Sequence, residues 1–252
     1  DRFASWLPFY HDMGLVGFVL VPVATQLSVD YLDTRDFAMR PRQWLNLMTQ
    51  TRATIAFAPS FGYDLCARRL RDADISKYDL SNWRIAGIGA EMIRPQTLEL
   101  FADKLAACGF DSRAFTACYG MAECTLGISF SPLAQGFTTH YVDSDQLADA
   151  HEVVLMDESE QSGRGRHFVN CGQPLPSYEV EVRDDNGDRL EDWRSGVIHV
   201  RGPSVMSGYF NLPEETSHAL CEDGWLNTGD IGYLVDGALT ITGRKKDLII
   251  IH

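Results

Sequence analysis

Three short apolar runs constrain this chain more than any other feature: Ala53-Thr-Ile-Ala-Phe-Ala-Pro59, Trp83-Arg-Ile-Ala-Gly-Ile-Gly-Ala90 and Phe115-Thr-Ala-Cys-Tyr119. Near-continuous hydrophobicity over so few residues, closed by Pro or Gly, describes strands buried on both faces, as in a parallel sheet. Segments of helical spacing lie between them. Pro41 opens a helix with Trp44, Leu45 and Met48 on one face, and an Arg-rich helix covers about Phe61 to Leu70. Another begins near Pro95, repeats Leu98, Phe101 and Leu105, and stops at Gly109. Leu27 to Leu32 adds a further strand. This βαβα alternation predicts an α/β fold, a parallel sheet flanked by helices.

After about residue 130 the texture changes. Residues 131–168 are polar, carry seven acids from Asp143 to Glu160, and read as an irregular exposed insertion in which Val153–Met156 could form a short strand. From Ser177 the pattern becomes period two, Tyr178, Val180 and Val182 alternating with Glu179, Glu181 and Arg183, and Asp185-Asn-Gly187 signals a hairpin turn. Val197–Val200, Gly232–Val235 and Ala238–Ile241 read as further strands, the last two joined at Asp236-Gly237. The second half is therefore expected to be an antiparallel, distorted β-barrel-like subdomain. The boundaries predicted are 1–135 for the α/β part, 136–168 for the insertion, 169–242 for the barrel-like part and 243–252 for a hinge.

Composition narrows the partners. A formal charge of −13 over 252 residues argues against a nucleic-acid or anionic-membrane surface, which needs clustered Lys and Arg. The longest apolar stretch, Leu15 to Ala24, contains Pro22 and is far short of the ~20 residues of a membrane span. With no signal peptide and six cysteines lacking any C-x-x-C pair, the expectation is a soluble cytoplasmic protein with reduced, mostly buried thiols. The first residues read as lying inside one strand and Asp247-Leu-Ile-Ile-Ile-His252 as stopping inside another, which suggests a piece of something longer.

Ligands of α/β sheets bind beyond the carboxyl ends of the strands. Two such ends carry Gly87-Ile-Gly-Ala-Glu91 and Tyr119-Gly-Met-Ala-Glu123. Gly89 would let the backbone approach a flat ligand, Tyr119 offers a ring face for a base, and Glu123 is a hard oxygen ligand suited to Mg²⁺. The same stretch also fits a Tyr-Gly turn followed by an acidic helix N-terminus. Asp230, held by the turn Asn227-Thr-Gly-Asp230, could accept two hydrogen bonds from a ribose diol or could be an ordinary Asp turn. Gly243-Arg-Lys-Lys-Asp247 is either a solvated loop or an arm presenting Arg244 to a phosphate. His11 fits a capping residue or a pocket residue that orients a carboxylate. Neither a G-x-x-x-x-G-K-[ST] loop, a G-x-G-x-x-G turn after a strand, nor a G-x-S-x-G elbow is present.

Individually weak, these signals have an order. Trp6-Leu-Pro-Phe-Tyr-His-Asp-Met-Gly-Leu15, Gly89-Ala-Glu91, Tyr119-Gly-Met-Ala-Glu123, Thr228-Gly-Asp230 and Gly243-Arg-Lys-Lys-Asp247 resemble the successive core motifs of adenylate-forming enzymes, a superfamily of acyl-CoA synthetases, peptide-synthetase adenylation domains and luciferases. The resemblance covers essentially the whole chain. It is strongest to the fatty acyl-AMP ligases, given the Ala of Tyr-Gly-Met-Ala-Glu, the Gly-Ala-Glu turn and the polar stretch preceding Val169-Asn-Cys-Gly-Gln-Pro174. In that family the insertion is associated with acyl transfer to the phosphopantetheine arm of an acyl carrier protein rather than to coenzyme A.

The resemblance implies a role for each matched position. Tyr119 would stack on adenine, with Gly89, Ala90 and Glu91 lining the base and Gly120, Met121 and Ala122 completing the motif. Glu123 would hold Mg²⁺ against the phosphates of ATP, Asp230 would bind the ribose, and Arg244 would reach ribose or phosphate. Lys246 would sit at the hinge of a C-terminal domain, and His11 at the carboxylate end of a fatty-acid pocket. It also implies that the family's phosphate-binding loop lies upstream of Asp1 and its catalytic lysine beyond His252. The isolated chain is therefore expected to bind nucleotide weakly and not to turn over; ATP- and fatty-acid-dependent pyrophosphate release by these 252 residues would overturn that. A fatty acyl-CoA synthetase and a noncatalytic acyl- or nucleotide-binding module remain the rival readings, and the parent could be free-standing or a loading module of a polyketide or peptide synthetase.

Overall fold

The computed structural model describes residues 1–159 and 163–247, which fall into two compact units. The first comprises Asp1–Ala122 with Ser131–Phe137; the second comprises Glu123–Phe130 and the chain from Thr138 onward. Part of the terminal strand expected from Asp247, residues 248–252, lies outside the described residues.

In the first unit the chain runs through β1 (Arg2–Ser5), α1 (Asp12–Leu15), a π-helical turn (Val16–Leu20) and α2 (Val21–Thr25). It continues through β2 (Ser28–Tyr31), α3 (Thr34–Met39), α4 (Arg42–Thr51), β3 (Ile55–Ala58), α5 (Ser60–Arg69), β4 (Ile85–Ile88), α6 (Pro95–Leu105) and β5 (Phe115–Gly120). These five strands pair in the order β2-β1-β3-β4-β5, every pairing parallel. The apolar runs are the central strands, as their two-sided burial requires. Ala56, Ala58, Ala86, Ile88, Phe115 and Ala117 are each fully buried.

Small strand residues leave room for large helical ones. Trp44, on α4, is completely buried, with ring centroids 5.0 Å from Trp83, 5.3 Å from Tyr63 and 6.1 Å from both Trp6 and Phe37. Tyr63 meets Phe101 of α6 edge-on at 5.1 Å, so aromatic contacts continue from helix to helix. α6 ends at Leu105, and a 3-10 turn, Ala106–Cys108, carries the chain to Gly109, whose φ of +80° supplies the left-handed stop its sequence position predicts. The six cysteines are thiols outside any disulfide, and burial pushes Cys124 and Cys171 up to about 12, far from the reactive thiolate range.

The second unit contains β6 (Gly127–Phe130), β7 (Thr139–Asp143), α7 (Ser144–Asp149), β8 (Gly165–Val169) and β9 (Gln173–Pro174). After these come β10 (Glu179–Arg183), β11 (Gly196–Arg201), α8 (Pro213–Ala219), β12 (Leu226–Val235) and β13 (Ala238–Arg244). An antiparallel sheet in the order β10-β11-β12-β13 forms its body. Three local expectations are corrected. The stretch read as irregular is a β7–β8 antiparallel ribbon with α7 following β7, and Val153–Met156 contributes only an isolated bridge between Leu155 and Val142. Asp143 makes the helix possible, its Oδ1 accepting the N–H groups of Asp145 and Gln146 as an N-cap. The Asp185-Asn-Gly187 turn forms, with Asp184 Oδ1 accepting the N–H groups of Asn186 and Asp188, yet only Arg189 returns to pair, with Arg183. The ladder partner of β10 is β11.

The third correction concerns β12, which starts at Leu226, six residues earlier than its apolar pattern. Its first part is disguised by an irregularity: Val197 pairs Ile231 and His199 pairs Asn227, so Thr228, Gly229 and Asp230 face the single residue Ile198.

Candidate functional site

In the first unit, register brings two of the motifs together. Ile88 pairs with Ala117, so Gly89-Ala-Glu91 and Tyr119-Gly-Met-Ala122 leave from the carboxyl ends of adjacent strands. Local reasons for these residues differ from those read in the sequence. A Cβ on Gly89 would lie 2.8 Å from both the carbonyl oxygen and Sγ of Cys118, so close strand packing already demands glycine, with no ligand required. Ala90 then takes φ +66°, a left-handed conformation that costs a non-glycine residue of order 1 kcal/mol or more and concentrates at functional turns. Glu91 Oε1 accepts the N–H of Phe61 at 2.9 Å, placing its charge on the first turn of α5, where the helix dipole favours it. Tyr119 and Gly120 are the last residues of β5 rather than a turn, and Tyr119 is buried at 9% exposure. The chain turns at half-buried Met121 and exposed Ala122.

His11 proves to be a cap. Its Nδ1 lies 3.2 Å from the N–H of Met13 and 2.6 Å from Asp12 Oδ1, closing the start of α1. Helix capping is thus its structural role, and Nδ1 is the ring atom that serves it.

In the second unit, Glu123 sits on a single 3-10 turn, Ala122–Cys124. Its Oε1 accepts the hydroxyl proton of Tyr209 at 2.7 Å. That hydrogen bond, then burial and the carboxylate charge, push the Tyr209 phenol up to about 12, with the Arg244 cation opposing the shift. Tyr209 therefore remains a donor across the physiological range. Arg244, the last residue of β13, pairs with Asp230 of β12, Nε to Oδ1 3.5 Å, the two being cross-strand partners.

Asp230 owes its position to its neighbours. Asn227 Oδ1 accepts the N–H of Gly229, which lies at φ +72°, and Thr228 Oγ1 accepts the N–H of Asp230 while donating to the carbonyl of Ile198 at 2.9 Å. The sequence Asn-Thr-Gly-Asp is thus a bulge held by its own side chains. Lys246 lies exposed in the short turn after β13, where its neighbour Lys245 reaches Asp185 at 2.8 Å.

Sequence reasoning missed Tyr209. The available signal was an aromatic pair, Tyr209-Phe210, between Gly208 and Pro213, but its partner lies 86 residues away and nothing local names it. Phe210 is 88% exposed, and residues 207–213 with Thr216, Ser217 and Leu220 line an open cleft of about 610 Å³.

This chain is matched over residues 1–210 by the family described as AMP-binding enzyme. It belongs to the AMP-binding enzyme family. Within that family it is 48% identical over 252 residues to a Caulobacter vibrioides protein provisionally named an acyl-CoA synthetase, covering 100% of this chain and 44% of that protein. It is 36% identical over 266 residues to a medium-chain-fatty-acid–acyl-carrier-protein ligase of Teredinibacter turnerae, covering 99% of this chain and 41% of that protein. A solved structure from work on fatty acyl-adenylate ligases of E. coli and L. pneumophila superposes with a TM-score of 0.94 at 50% identity, covering 100% of this chain and 45% of the other. The chain therefore spans under half the length of these AMP-binding relatives. The parallel sheet flanked by helices and the antiparallel sheet following it are the fold of adenylate-forming enzymes.

Among the described residues no group of three or more His, Cys, Asp and Glu side chains could hold a metal ion. One carboxylate in place is nevertheless what Mg²⁺ asks of a nucleotide enzyme, since it takes most of its ligands from water and substrate phosphates. Glu123 fits that requirement, with Oε1 engaged by Tyr209 and Oε2 without a hydrogen-bond partner among the described residues. Among the described residues no helix is long and apolar enough to cross a membrane.

Proposed function

We propose that this chain is the nucleotide- and acyl-handling part of a ligase that activates a fatty acid with ATP and passes the acyl group to an acyl carrier protein. The observation that carries the reading is the pairing of Glu123 with Tyr209 and of Asp230 with Arg244 inside a chain of the AMP-binding family. These four residues offer the carboxylate, diol acceptor and cation that a magnesium nucleotide requires.

A carboxylate oxygen of the fatty acid attacks the α-phosphorus of ATP, the bond to the β-phosphate oxygen breaks, and pyrophosphate leaves with the electron pair. The resulting acyl-AMP is a mixed anhydride. A phosphopantetheine thiolate then attacks the acyl carbon and AMP departs. Mg²⁺, when bound, supplies neutralisation of the phosphate charge. Asp230 accepts the ribose hydroxyls, and Arg244 turns from Asp230 toward ribose or phosphate. Tyr119, Gly89, Ala90 and Glu91, with Gly120, Met121 and Ala122, receive the adenine. His11 faces the fatty carboxylate and Lys246 serves the hinge. Positioning does most of the catalytic work.

The carrier-protein acceptor draws support from the Teredinibacter relative and from the ordered β7–β8 ribbon at the position of the insertion. The Caulobacter relative favours the second reading, a fatty acyl-CoA synthetase. Both are tested by supplying the full-length protein with ATP, a medium-chain fatty acid and either holo acyl carrier protein or coenzyme A. Carrier-protein thioester is expected to form, with coenzyme A a poor acceptor. Equal or faster formation of acyl-CoA would transfer the assignment to the synthetase.

A further inference from the structure

The segment that carries Glu123 is gripped along its whole length by the loop between β11 and α8. The carbonyl of Glu123 accepts the N–H of Met206 at 2.7 Å. The carbonyl of Cys124 accepts the hydroxyls of Ser204 at 2.8 Å and Tyr178 at 3.2 Å, and those two hydroxyls also bond each other. Thr125 Oγ1 donates to the carbonyl of Ser204 at 3.3 Å. Thr125 itself stands at φ +70°, a conformation a β-branched residue keeps only when its surroundings enforce it. The final contact of the grip reaches the Glu123 carboxylate itself: among the described residues Tyr209 is the side chain that hydrogen-bonds it, on Oε1.

We infer that Tyr209 is a positioning residue for the cation site: its hydroxyl fixes the Glu123 carboxylate in a single orientation, with Oε2 turned toward the metal-nucleotide. The inference rests on the reading of Glu123 as a Mg²⁺ ligand. The geometry explains the arrangement in a way general stability does not. The Met206 N–H and the Ser204 and Tyr178 hydroxyls already hold the backbone of this segment, so the phenol adds nothing to its course and acts only on the carboxylate. Tyr209 is also 36% exposed, so loss of its hydroxyl leaves no buried void. A lone exposed carboxylate samples several rotamers, and a metal must then order it; a hydrogen bond to the charged group removes that requirement before the ligand arrives.

The test is a double-mutant cycle in the full-length protein with Y209F, E123Q and the double variant. The readout is Mn²⁺ affinity by electron paramagnetic resonance in the presence of a non-hydrolysable ATP analogue, alongside kcat and KM for the fatty acid. Y209F is expected to weaken Mn²⁺ binding about tenfold, the usual worth of a hydrogen bond to a charged group, and to leave KM for the fatty acid and the thermal midpoint unchanged. In the E123Q background the same substitution is expected to change Mn²⁺ affinity less than about twofold, because Tyr209 acts through Glu123. If E123Q weakens Mn²⁺ binding while Y209F does not, or if Y209F acts equally in both backgrounds, the positioning role is wrong and the ligand reading stands. If E123Q leaves Mn²⁺ affinity intact, Glu123 is not a metal ligand and the inference falls with it.

Discussion

Glu123→Gln in the full-length protein is expected to reduce kcat/KM for ATP–pyrophosphate exchange by roughly 10²- to 10³-fold, the scale set by weakening the hold on the cation that offsets the developing phosphate charge. Gln keeps the size of the side chain and still accepts the Tyr209 hydroxyl, so the fold is untouched and only the negative charge is lost. Raising Mg²⁺ should recover part of the rate, because the variant is weakened in cation binding rather than in holding adenine. A reduction smaller than about threefold at saturating fatty acid would remove Glu123 from the cation site. The control is the thermal midpoint, expected to match the parent because Glu123 is only half-buried on a short turn.

Trp44→Ala is expected to be the most damaging substitution in the first unit, by about 3–5 kcal/mol. That is a large fraction of the roughly 5–15 kcal/mol that holds a typical domain together. Four other aromatic rings converge on the Trp44 ring, and its exposure is zero, so truncation opens a void that several strands and helices must share. Trp44→Phe should be much milder, about 1 kcal/mol, since a ring still fills most of the space. The indole Nε1 also has no hydrogen-bond partner among the described residues, so Phe removes a buried polar group and breaks no bond. The urea midpoint of the full-length protein, followed by far-UV circular dichroism, measures both; equal midpoints for the Ala and Phe variants would show that the cluster collapses around the loss.

What could be read in advance follows from which interactions are local. The strands of the first unit were legible in Ala53–Pro59, Trp83–Ala90 and Phe115–Tyr119 because burial on both faces leaves a continuous apolar signature. Pro95 marked the start of α6, and Gly109 the stop of the 3-10 turn that follows its end at Leu105, because caps are decided by neighbouring residues. β12 was shortened because its bulge replaces alternating side chains with Asn227-Thr-Gly-Asp230, a pattern shared with any turn. The ribbon was hidden because its strands, Thr139–Asp143 and Gly165–Val169, mix polar and apolar residues and are separated by a long acidic stretch. Glu91 and His11 were candidate ligand residues by motif, and the structure gives each a capping duty as well. Tyr209 could not be foreseen, since the meaning of a phenol depends on what it faces.

The bulge in β12 also settles how the antiparallel sheet tolerates change. Strand side chains alternate between faces, so the number of residues between two paired points decides which way everything beyond them turns. Between its pairings with His199 and Val197, β12 places two more residues than β11 does, an even excess, so Ile231 beyond the bulge lies on the same face as Asn227 before it. Removing Gly229 alone would make that excess odd. The β12 residues beyond the bulge would then turn to the other face, against a pairing with β13 that sets Tyr233 opposite Thr240 and Leu234 opposite Leu239 next to the tight turn at Asp236-Gly237. The direction in which Asp230 faces is therefore kept by arithmetic along the chain, and substitutions at this motif are local edits while deletions are not.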